Sequence, residues 1–563
     1  MKRLYLLTFL LLVITGVRAQ TWDWAWEKDA GGTGNEELGG QSVSDLSGNT
    51  YVVGSFNSTT ATFGSFTLTL TGTRNMFVAK YNDLGNVMWA KNPAAGNDSR
   101  AFAVAIDPTG TGIFVAGTYI GASVKFGSFT LTSATNGGMY IVKYDNSGNV
   151  VWAHNAVETS NSSALSVTAD AWGNCYVAGE YQGASIGFGA ATLTNMGLDS
   201  FDMFLVKYNA SGNVVWAKNG GGSGIDGANS VSIGSAGAGD VYVTGYFSSA
   251  TATFGSTTLT NSNTNLNTFI VKYDTSGNAK WARKSIGNTG RNGNWIAAAI
   301  DPAEDVYVSG SFTGANVKFD TATLVNANSA TLDAYLVQYD SSGNLKHALR
   351  LGGNKDEVAG VTVDQNVGGR VFLTGYFASD SINIDTFTLH NIMTNGTSDI
   401  FMTGYDDLWN SFVAKSAGGP MNDYALSCSV HGVGDMYIAG AFTGQYIAFN
   451  SDSIDNHAIT GTGDIFVAKL SVVNTGVHET TQSGTNVLVY PNPAKDVIHI
   501  SLKGTGYTGL CICDLLGRQI YTQQLPATEK DIKLEIPVNI KPGIYLLQTR
   551  FKAGTISTKL FID

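Results

Sequence analysis

Charged residues are scarce in this chain, and clustered basic residues are missing from it. Asp, Glu, Lys and Arg make up 14% of the 563 residues, the net charge is −11, and no Lys or Arg cluster occurs beyond the first three residues. Because phosphate contacts need concentrated positive charge, nucleic acid is excluded as an expected partner. The mild acidic excess favours solubility.

Cysteine and proline are also rare. The four cysteines are Cys175, Cys428, Cys511 and Cys513, and there are nine prolines. Cys511 and Cys513 are two apart on a predicted strand, a spacing that suits a disulfide badly, so we expect all four to be reduced or buried thiols. Glycine (68 residues), aromatic and β-branched residues are plentiful instead, which favours strands and tight turns over helices.

The first residues differ from the rest. Lys2 and Arg3 precede the apolar run LYLLTFLLLVITGV. Val17 and Ala19 place small residues at positions −3 and −1 of a cleavage site after Ala19. Residues 1–19 are therefore predicted to be a secretory signal peptide; the run is short for a membrane anchor, which is the alternative. No transmembrane segment is predicted in the mature chain, which we expect to be exported.

A phrase of the form GNxxWAK recurs along the chain. Its tryptophans are spaced 63 to 65 residues apart, and the same slot then holds His347 and Val413. FGxxTL-type segments and apolar runs such as MFVAKY recur in step, which gives seven copies of a unit of about 64 residues. The tryptophans are Trp26, Trp89, Trp152, Trp216 and Trp281.

Each copy divides into four main strands and one short hairpin, separated by Gly, Asn and Asp turns. The last copy lacks its GNxxW strand, and the chain begins with one, TWDWAWEK. The sequence therefore predicts an all-β fold, a seven-bladed β-propeller over residues 20–470 whose N-terminal strand completes the last blade. The tryptophans are predicted to be structural anchors between blades rather than ligand-stacking aromatics.

The repeats resemble those of seven-bladed β-propellers in secreted bacterial surface proteins, through their DxxGNxYVxG and YDxxGNxxWAK phrases. That resemblance implies the fold and no shared chemistry.

The composition changes near the C-terminus. Residues 471–486 are polar and predicted to be a linker, and residues 487–563 alternate like the short strands of a small Ig-like β-sandwich. YPNPAKD, DLLGR, KPGIYLLQ and the terminal KLFI make this region similar to the type A C-terminal sorting domain of the type IX secretion system of Bacteroidetes. The resemblance implies contact with that secretion machinery, and release or attachment at the outer-membrane surface. Its motif residues here are Pro491, Asn492, Pro493, Gly517, Pro542 and Gly543.

Two segments match known catalytic or nucleotide-binding motifs but lack the structural context that those motifs need. The GxSxG at 183–187 is a repeat variant without a strand-to-helix turn, and the GxGxxG at 222–227 lacks a βαβ unit. The seven histidines are scattered, so no catalytic residue and no metal site is predicted. His347, His390, Trp409 and His431 break the repeat and mark where an asymmetric site would be sought; degeneracy of the closing repeats is the alternative.

One recurring feature is a candidate binding face. Gly-rich loops that enter each blade carry acids, and the FGxxTL hairpins are predicted to lie on the same face. The acids are Glu37, Asp98, Asp226, Asp356 and Asp423. They suit a polyhydroxylated ligand or a cation such as calcium, the one cofactor considered; the alternative is that each acid binds the amides of its own loop.

The expected function is a secreted or cell-surface binding scaffold with a glycan or protein ligand. The alternatives are a polysaccharide lyase or glycoside hydrolase and a structural surface or adhesion component. Nothing in the sequence names the ligand or demonstrates catalysis.

Overall fold

The structure, a computed structural model, describes most of the chain. The described residues are 21–473 and 487–562, except 198–199, 235–238, 263–264, 290–295, 364–369, 432–433, 459–460, 491–493, 496, 503–506, 514–518, 525–530, 537–539, 541–542 and 552–553. These residues form antiparallel β-strands and no α-helix, as the composition predicts. Accordingly, none of the described residues belongs to a helix that could cross a membrane. The predicted signal peptide and residues 474–486 lie outside the described residues.

The chain divides into two compact units, and the larger spans Trp22–Val472. Its first strand is β1 (Thr21–Gly32). Three four-stranded sheets follow along the chain, each with a short hairpin between its second and third strands.

Sheet I contains β2 (Glu36–Ser44), β3 (Thr50–Phe56), β6 (Asn75–Tyr81) and β7 (Val87–Lys91), with hairpin β4 (Thr60–Phe63) and β5 (Phe66–Thr69). Sheet II contains β8 (Asp98–Ile106), β9 (Gly112–Ile120), β12 (Gly137–Asp145) and β13 (Val150–Asn155), with hairpin β10 (Ser123–Phe126) and β11 (Phe129–Thr132). Sheet III contains β15 (Ser162–Ala169), β16 (Cys175–Tyr181), β19 (Asp202–Tyr208) and β20 (Val214–Gly220), with β14 (Val157–Glu158) added to hairpin β17 (Ser185–Phe188) and β18 (Ala191–Thr194).

The remaining sheets repeat this plan. Sheet IV contains β21 (Asp226–Ile233), β22 (Val241–Phe247), β25 (Asn267–Tyr273) and β26 (Ala279–Asn288), with hairpin β23 (Thr251–Phe254) and β24 (Thr257–Thr260). Sheet V contains β27 (Ala297–Ile300), β28 (Val306–Phe319), β30 (Asp333–Tyr339) and β31 (Leu345–Leu351), with β29 (Ala322–Val325) paired to the end of β28.

Sheet VI contains β32 (Glu357–Val363), β33 (Val371–Phe377), β36 (Asp399–Tyr405) and β37 (Ser411–Ala417), with hairpin β34 (Ser381–Ile384) and β35 (Phe387–His390). Sheet VII contains β38 (Asp423–His431), β39 (Asp435–Phe442) and β42 (Asp464–Val473), with hairpin β40 (Tyr446–Phe449) and β41 (Asp452–Asp455).

The fourth strand of sheet VII comes from the other end of the chain. The strand order is β38, β39, β42 and then β1, so the N-terminal strand completes the last sheet as predicted. β42 runs to Val473, three residues into the segment predicted to be a linker. Sheets IV and V are less separate than predicted, because β26 continues to Asn288 and pairs with the hairpin half of β28.

The sheets pack on one another in sequence order around a closed circuit. Clusters of buried apolar residues lie between consecutive sheets. A further cluster joins Val52 and Phe77 of sheet I to Ala439 and Val467 of sheet VII, which brings the last sheet against the first. The described residues are therefore consistent with a propeller.

The DxSGN phrase forms the turn between the third and fourth strands. In sheet IV, Asp274 Oδ1 accepts hydrogen bonds from the amides of Ser276 (2.9 Å) and Asn278 (2.8 Å). Gly277 has φ +77°, a conformation that glycine adopts without strain. A Cβ at Gly277 would also lie 2.7 Å from Lys218 Cε and 3.2 Å from the Trp216 ring in sheet III, so the turn packs closely on that sheet.

The five repeat tryptophans share a contact with the turn of the following sheet. Each indole Nε1 donates a hydrogen bond to the turn of the following sheet. The pairs are Trp26 with Asp83 O, Trp89 with Asn146 O, Trp152 with Ala210 O, Trp216 with Thr275 O and Trp281 with Ser341 O. These hydrogen bonds lie between consecutive sheets; that the tryptophans are structural anchors stays a prediction.

The smaller described unit at the C-terminus consists of two antiparallel sheets around one apolar core. One sheet contains β43 (Val487–Tyr490), β44 (Val497–Leu502) and β47 (Asp531–Glu535). The other contains β45 (Tyr507–Cys513), β46 (Gln519–Gln524), β48 (Gly543–Phe551) and β49 (Gly554–Ile562). Cys511 and Cys513 are buried with their sulfurs 3.6 Å apart, too far for a disulfide bond.

Candidate functional site

The candidate face consists of the linking loops, which join the last strand of one sheet to the first strand of the next, and the FGxxTL hairpins. In most sheets the hairpin pairs with the linking loop that precedes the same sheet. The paired residues include Gly31 with Thr62, Ala95 with Lys125, Val157 with Gly187, Gly221 with Thr253 and Gly418 with Ala448. Loops and hairpins therefore lie together, as predicted.

Asp226, the first residue of β21, shows what an acid does in a linking loop. Its carboxylate is fully buried. It accepts hydrogen bonds from the Gly222 amide (2.7 Å), the Ser249 hydroxyl (2.5 Å) and, more weakly, the Ser248 and Ser249 amides. Burial raises the pKa of Asp226, and these donors oppose that rise. The geometry of Asp226 therefore matches the loop-capping alternative.

Glu357 occupies the same position at the start of β32. Its carboxylate accepts hydrogen bonds from the amides of Gly353 (2.8 Å) and Ser379 (3.2 Å), and burial raises its pKa to about 7. The sequence pointed to its neighbour Asp356, which is exposed and accepts a hydrogen bond from the Leu332 amide at 2.9 Å.

Sheet I shows the same offset by one residue. Glu36, not Glu37, binds the Gly32 amide (3.2 Å) and the Ser58 hydroxyl, and burial raises its pKa. The Glu37 side chain lies outside the described atoms. Glu36 and Glu357, each the first residue of its strand, are therefore the acids that cap these two loops.

Asp98 and Asp423 complete the predicted set and differ from each other. Asp98 is partly exposed and lies 3.6 Å from the Arg100 Nε. Asp423 is fully buried, and neither of its oxygens has a hydrogen-bond partner; the Gly419 amide faces it without reaching hydrogen-bond geometry. Sheet VII has Gly444 where sheet IV has Ser249, so the hydroxyl donor is missing. Burial raises the pKa of Asp423 well above its usual value.

A second set of buried acids faces the first, and sequence reasoning missed it. Each member is the first residue of a third strand and accepts a hydrogen bond through Oδ2 from a backbone amide, whereas its Oδ1 is unpartnered. The four are Asp202, Asp333, Asp399 and Asp464. The available signal was an Asp that recurs directly before the apolar run in these repeats.

The two sets meet in pairs at the junctions between sheets. At Gly221, a Cβ would lie 2.6 Å from Asp202 Oδ1 and 2.9 Å from Asp226 Oδ2, so glycine is needed there. Burial, with the charge of Asp226 as a further cause, raises the pKa of Asp202 to about 7. Burial raises the pKa of Asp399 to about 6.

These pairs lie in separate junctions and do not converge. Among the described residues, no group of three or more His, Cys, Asp or Glu side chains could hold a metal ion. The arrangement supplies buried, hydrogen-bonded carboxyl groups that close the loops, and calcium binding stays a prediction.

Two of the residues that break the repeat, His347 and Trp409, find a packing explanation. Trp409 stands where the turn glycine occurs in other sheets, with φ +64°, and it stacks on His347 at a ring distance of 3.9 Å. The indole thus comes from the turn of sheet VI, and a histidine fills the tryptophan position of sheet V. His390 is exposed on the hairpin β35, and His431 ends β38.

Of the predicted sorting residues, only Gly543 lies within the described part of the chain, where it pairs with Ile562. Pro491, Asn492, Pro493, Gly517 and Pro542 lie outside it. Residues 488–563 match the family of the secretion system C-terminal sorting domain. This match supports a type IX sorting C-terminus, contact with the type IX machinery, and export to the cell surface or secretion.

Curated relatives match the chain over part of their length. An uncharacterized WD repeat-containing protein of Acanthamoeba polyphaga mimivirus is 24% identical over 68% of this chain and 32% of its own. The regulatory protein FlaEY of Caulobacter vibrioides is 24% identical over 64% of this chain and 37% of its own. The chain thus spans about a third of the length of these relatives. The WD-repeat relative is consistent with a propeller.

Solved structures resemble the chain weakly. A mutant of the Synechocystis apocarotenoid oxygenase covers 92% of this chain and 98% of its own at 10% identity, with a TM-score of 0.24. Dimeric latent PorU of Porphyromonas gingivalis covers 65% of this chain and 32% of its own at 11% identity, with a TM-score of 0.12. Neither likeness carries an argument about function.

Proposed function

We propose that the protein is an exported binding scaffold: a seven-bladed β-propeller carried to the cell surface or medium of a bacterium of the Bacteroidetes by a type A sorting domain. Sheets I–VII are the blades in this proposal. The supporting observation is the closed circuit of apolar clusters, in which sheet VII packs on sheet I and borrows its last strand from the N-terminus. Closure of this kind protects the sheet edges.

The working surface of the scaffold is the face of the linking loops and hairpins. In sheet VI the amides of Asn354 (2.9 Å) and Lys355 (3.0 Å) donate hydrogen bonds to Ser379 Oγ, which joins the linking loop to the segment before the hairpin. This face therefore presents rigid, exposed polar positions such as Asp356, Asp380 and Thr388. A rigid surface loses little conformational entropy on binding, which suits recognition of a glycan or an extended protein segment. His457 Nδ1 meets two carboxylates on this face, Asp464 Oδ2 at 2.8 Å and Asp29 Oδ2 at 3.4 Å. Asp464 is fully buried and also binds the His457 amide (2.6 Å), an arrangement that suits loop closure better than hydrolysis or lyase chemistry.

The test is a glycan-array screen of the chain lacking residues 1–19, with and without calcium. We expect saturable binding that Asp356→Asn weakens. Asp407→Asn is the matched control, because Asp407 is exposed in the turn between the third and fourth strands, at the opposite end of its sheet. Loss of binding in EDTA would support the predicted calcium. Equal binding by both variants would place the ligand elsewhere, and no binding at all would contradict a glycan ligand.

A further inference from the structure

A cavity of about 960 Å³ lies at the centre of the larger unit. Its wall is formed by the first strands of all the sheets, β2, β8, β15, β21, β27, β32 and β38. These strands lie side by side around it, so the cavity is a product of the closed arrangement and belongs to no single repeat. Cavities of roughly 300–1,000 Å³ accommodate small organic ligands.

The wall is mainly apolar, although the amide side chains of Gln41 and Asn229 also line it, and several of its hydroxyl groups bond to one another or to the backbone. Ser44 Oγ lies 2.7 Å from Ser429 Oγ, and Ser232 Oγ donates to Ala298 O at 2.7 Å. Hydroxyl groups that already have partners offer little to a polar ligand. The rest of the lining consists largely of Val, Ile, Leu and Ala side chains.

Charge is nearly absent from the wall. The one charged residue among the described lining residues is Asp107, which is fully buried. Its carboxylate is paired with Lys143 Nζ at 2.6 Å and accepts hydrogen bonds from the hydroxyls of Thr109 (2.7 Å) and Thr111 (2.6 Å). An ionic ligand would lose its hydration in this cavity without gaining a counter-charge.

Sheet VI makes the cavity asymmetric. The inner strands β8, β15, β21 and β38 each carry a β-bulge that inserts one extra residue, and the register of β2 also shifts. The inserted residues are Phe102, Leu165, Asn229 and Leu426. β32 pairs with β33 without a bulge and has Gly360 at this level. A Cβ at Gly360 would meet no atom within 4 Å, so the wall has a recess there.

We propose that this cavity binds an uncharged, predominantly hydrocarbon small molecule, whose body lies against the inner strands and fills the recess at Gly360. This site is distinct from the face of linking loops and hairpins, so the inference holds whether or not that face binds a glycan. Binding is driven by removal of apolar surface from water.

The probe is N-phenyl-1-naphthylamine, a neutral dye whose fluorescence rises in apolar surroundings, titrated into the chain lacking residues 1–19. We expect saturable binding of one dye per chain. Gly360→Phe should fill the recess and weaken binding at least tenfold. Gly360 does not require a positive φ, so the backbone accepts the new side chain. Thr130→Leu, which adds an apolar residue at an exposed hairpin position, is the control and should bind as the unmodified chain does.

A second measurement does not depend on a folded variant. Cys428 lines the cavity and is partly exposed, whereas Cys175 is fully buried. Bound dye should slow modification of Cys428 by methyl methanethiosulfonate, followed by peptide mass mapping. Failure of the unmodified chain to bind the dye, unchanged binding by a folded Gly360→Phe variant, or no protection of Cys428 would each overturn the proposal.

Discussion

The junctions between consecutive sheets are closed differently at their two ends. At the end of the DxSGN turns, an indole packs on a glycine turn of the next sheet. At the end of the linking loops, buried carboxyl groups bind amides and hydroxyls. Both ends have exceptions. At the turn end Trp409 stacks on His347 and Val413 takes the tryptophan position of sheet VI, and at the loop end Asp98 is partly exposed and Asp423 is unpartnered.

Two of these exceptions, Trp409 and Asp423, teach different lessons. Packing at the turn end needs aromatic volume from either side, so the indole moves to Trp409 and the contact survives. Hydrogen bonding at the loop end needs a particular donor, so replacement of the serine by Gly444 leaves a buried carboxyl without a partner. Apolar contacts tolerate exchange because dispersion has little directionality, whereas a buried polar group without a partner costs the full desolvation energy.

The largest effect should come from removing an ordinary indole. Trp89→Ala takes away a buried ring and its hydrogen bond to Asn146 O, and we expect the free energy of unfolding to fall by about 3–5 kcal/mol. Urea unfolding measures the loss. Trp172→Ala, at a ring that is 65% exposed, is the control and should change stability by less than about 0.5 kcal/mol. Equal losses would mean that the indoles are not anchors.

The stack of Trp409 on His347 tests more sharply whether the aromatic rings anchor the turn end of a junction. Trp409→Gly should leave His347 uncovered and destabilise by about 2 kcal/mol, and His347→Trp should crowd the existing indole by a similar amount. The double variant restores the arrangement of the other junctions and should recover most of the loss. A double-mutant cycle measures the coupling; additive losses would show that the two rings do not share one packing site.

At the loop end, Ser249→Ala removes the hydroxyl that donates to Asp226. We expect a loss of about 1–2 kcal/mol, because a buried carboxyl would then lack one donor as Asp423 does. Ser211→Ala, in an exposed turn, should be neutral. Differential scanning calorimetry of both variants measures the difference, and a neutral Ser249→Ala would refute the capping role.

The smallest effect is a change in pH dependence. Burial raises the pKa of Glu357 to about 7, so this group stabilises the fold fully below about pH 4.5, and the contribution is lost as the pH rises toward 7. The melting temperature should therefore fall from pH 5 to pH 8. Glu357→Gln, which stays uncharged, should reduce that fall by about 1–2 °C. An unchanged fall would mean that Glu357 does not titrate differently in the folded chain.

Sequence reasoning succeeded where local chemistry decides the structure. The DxSGN turns, the four strands and hairpin of each copy, and the N-terminal strand of sheet VII follow from glycine placement and strand alternation. It did not single out Glu36 and Glu357, the acids that cap the loops, each of which lies next to an acid that it named, Glu37 or Asp356. Which of two adjacent acids points inward depends on the pairing of the first strand with its neighbour, and local sequence does not state that register.

The sequence alone determined the repeat, the kind of turn, and the sorting region at the C-terminus, because each rests on residues close together along the chain. The tertiary structure decided which carboxyls meet at a junction, where Trp409 replaces a missing indole, and how wide the central cavity is. Those features join residues from different copies of the repeat. They exist only after the sheets have closed on one another, since packing between sheets places Asp202 beside Asp226 and leaves a recess at Gly360.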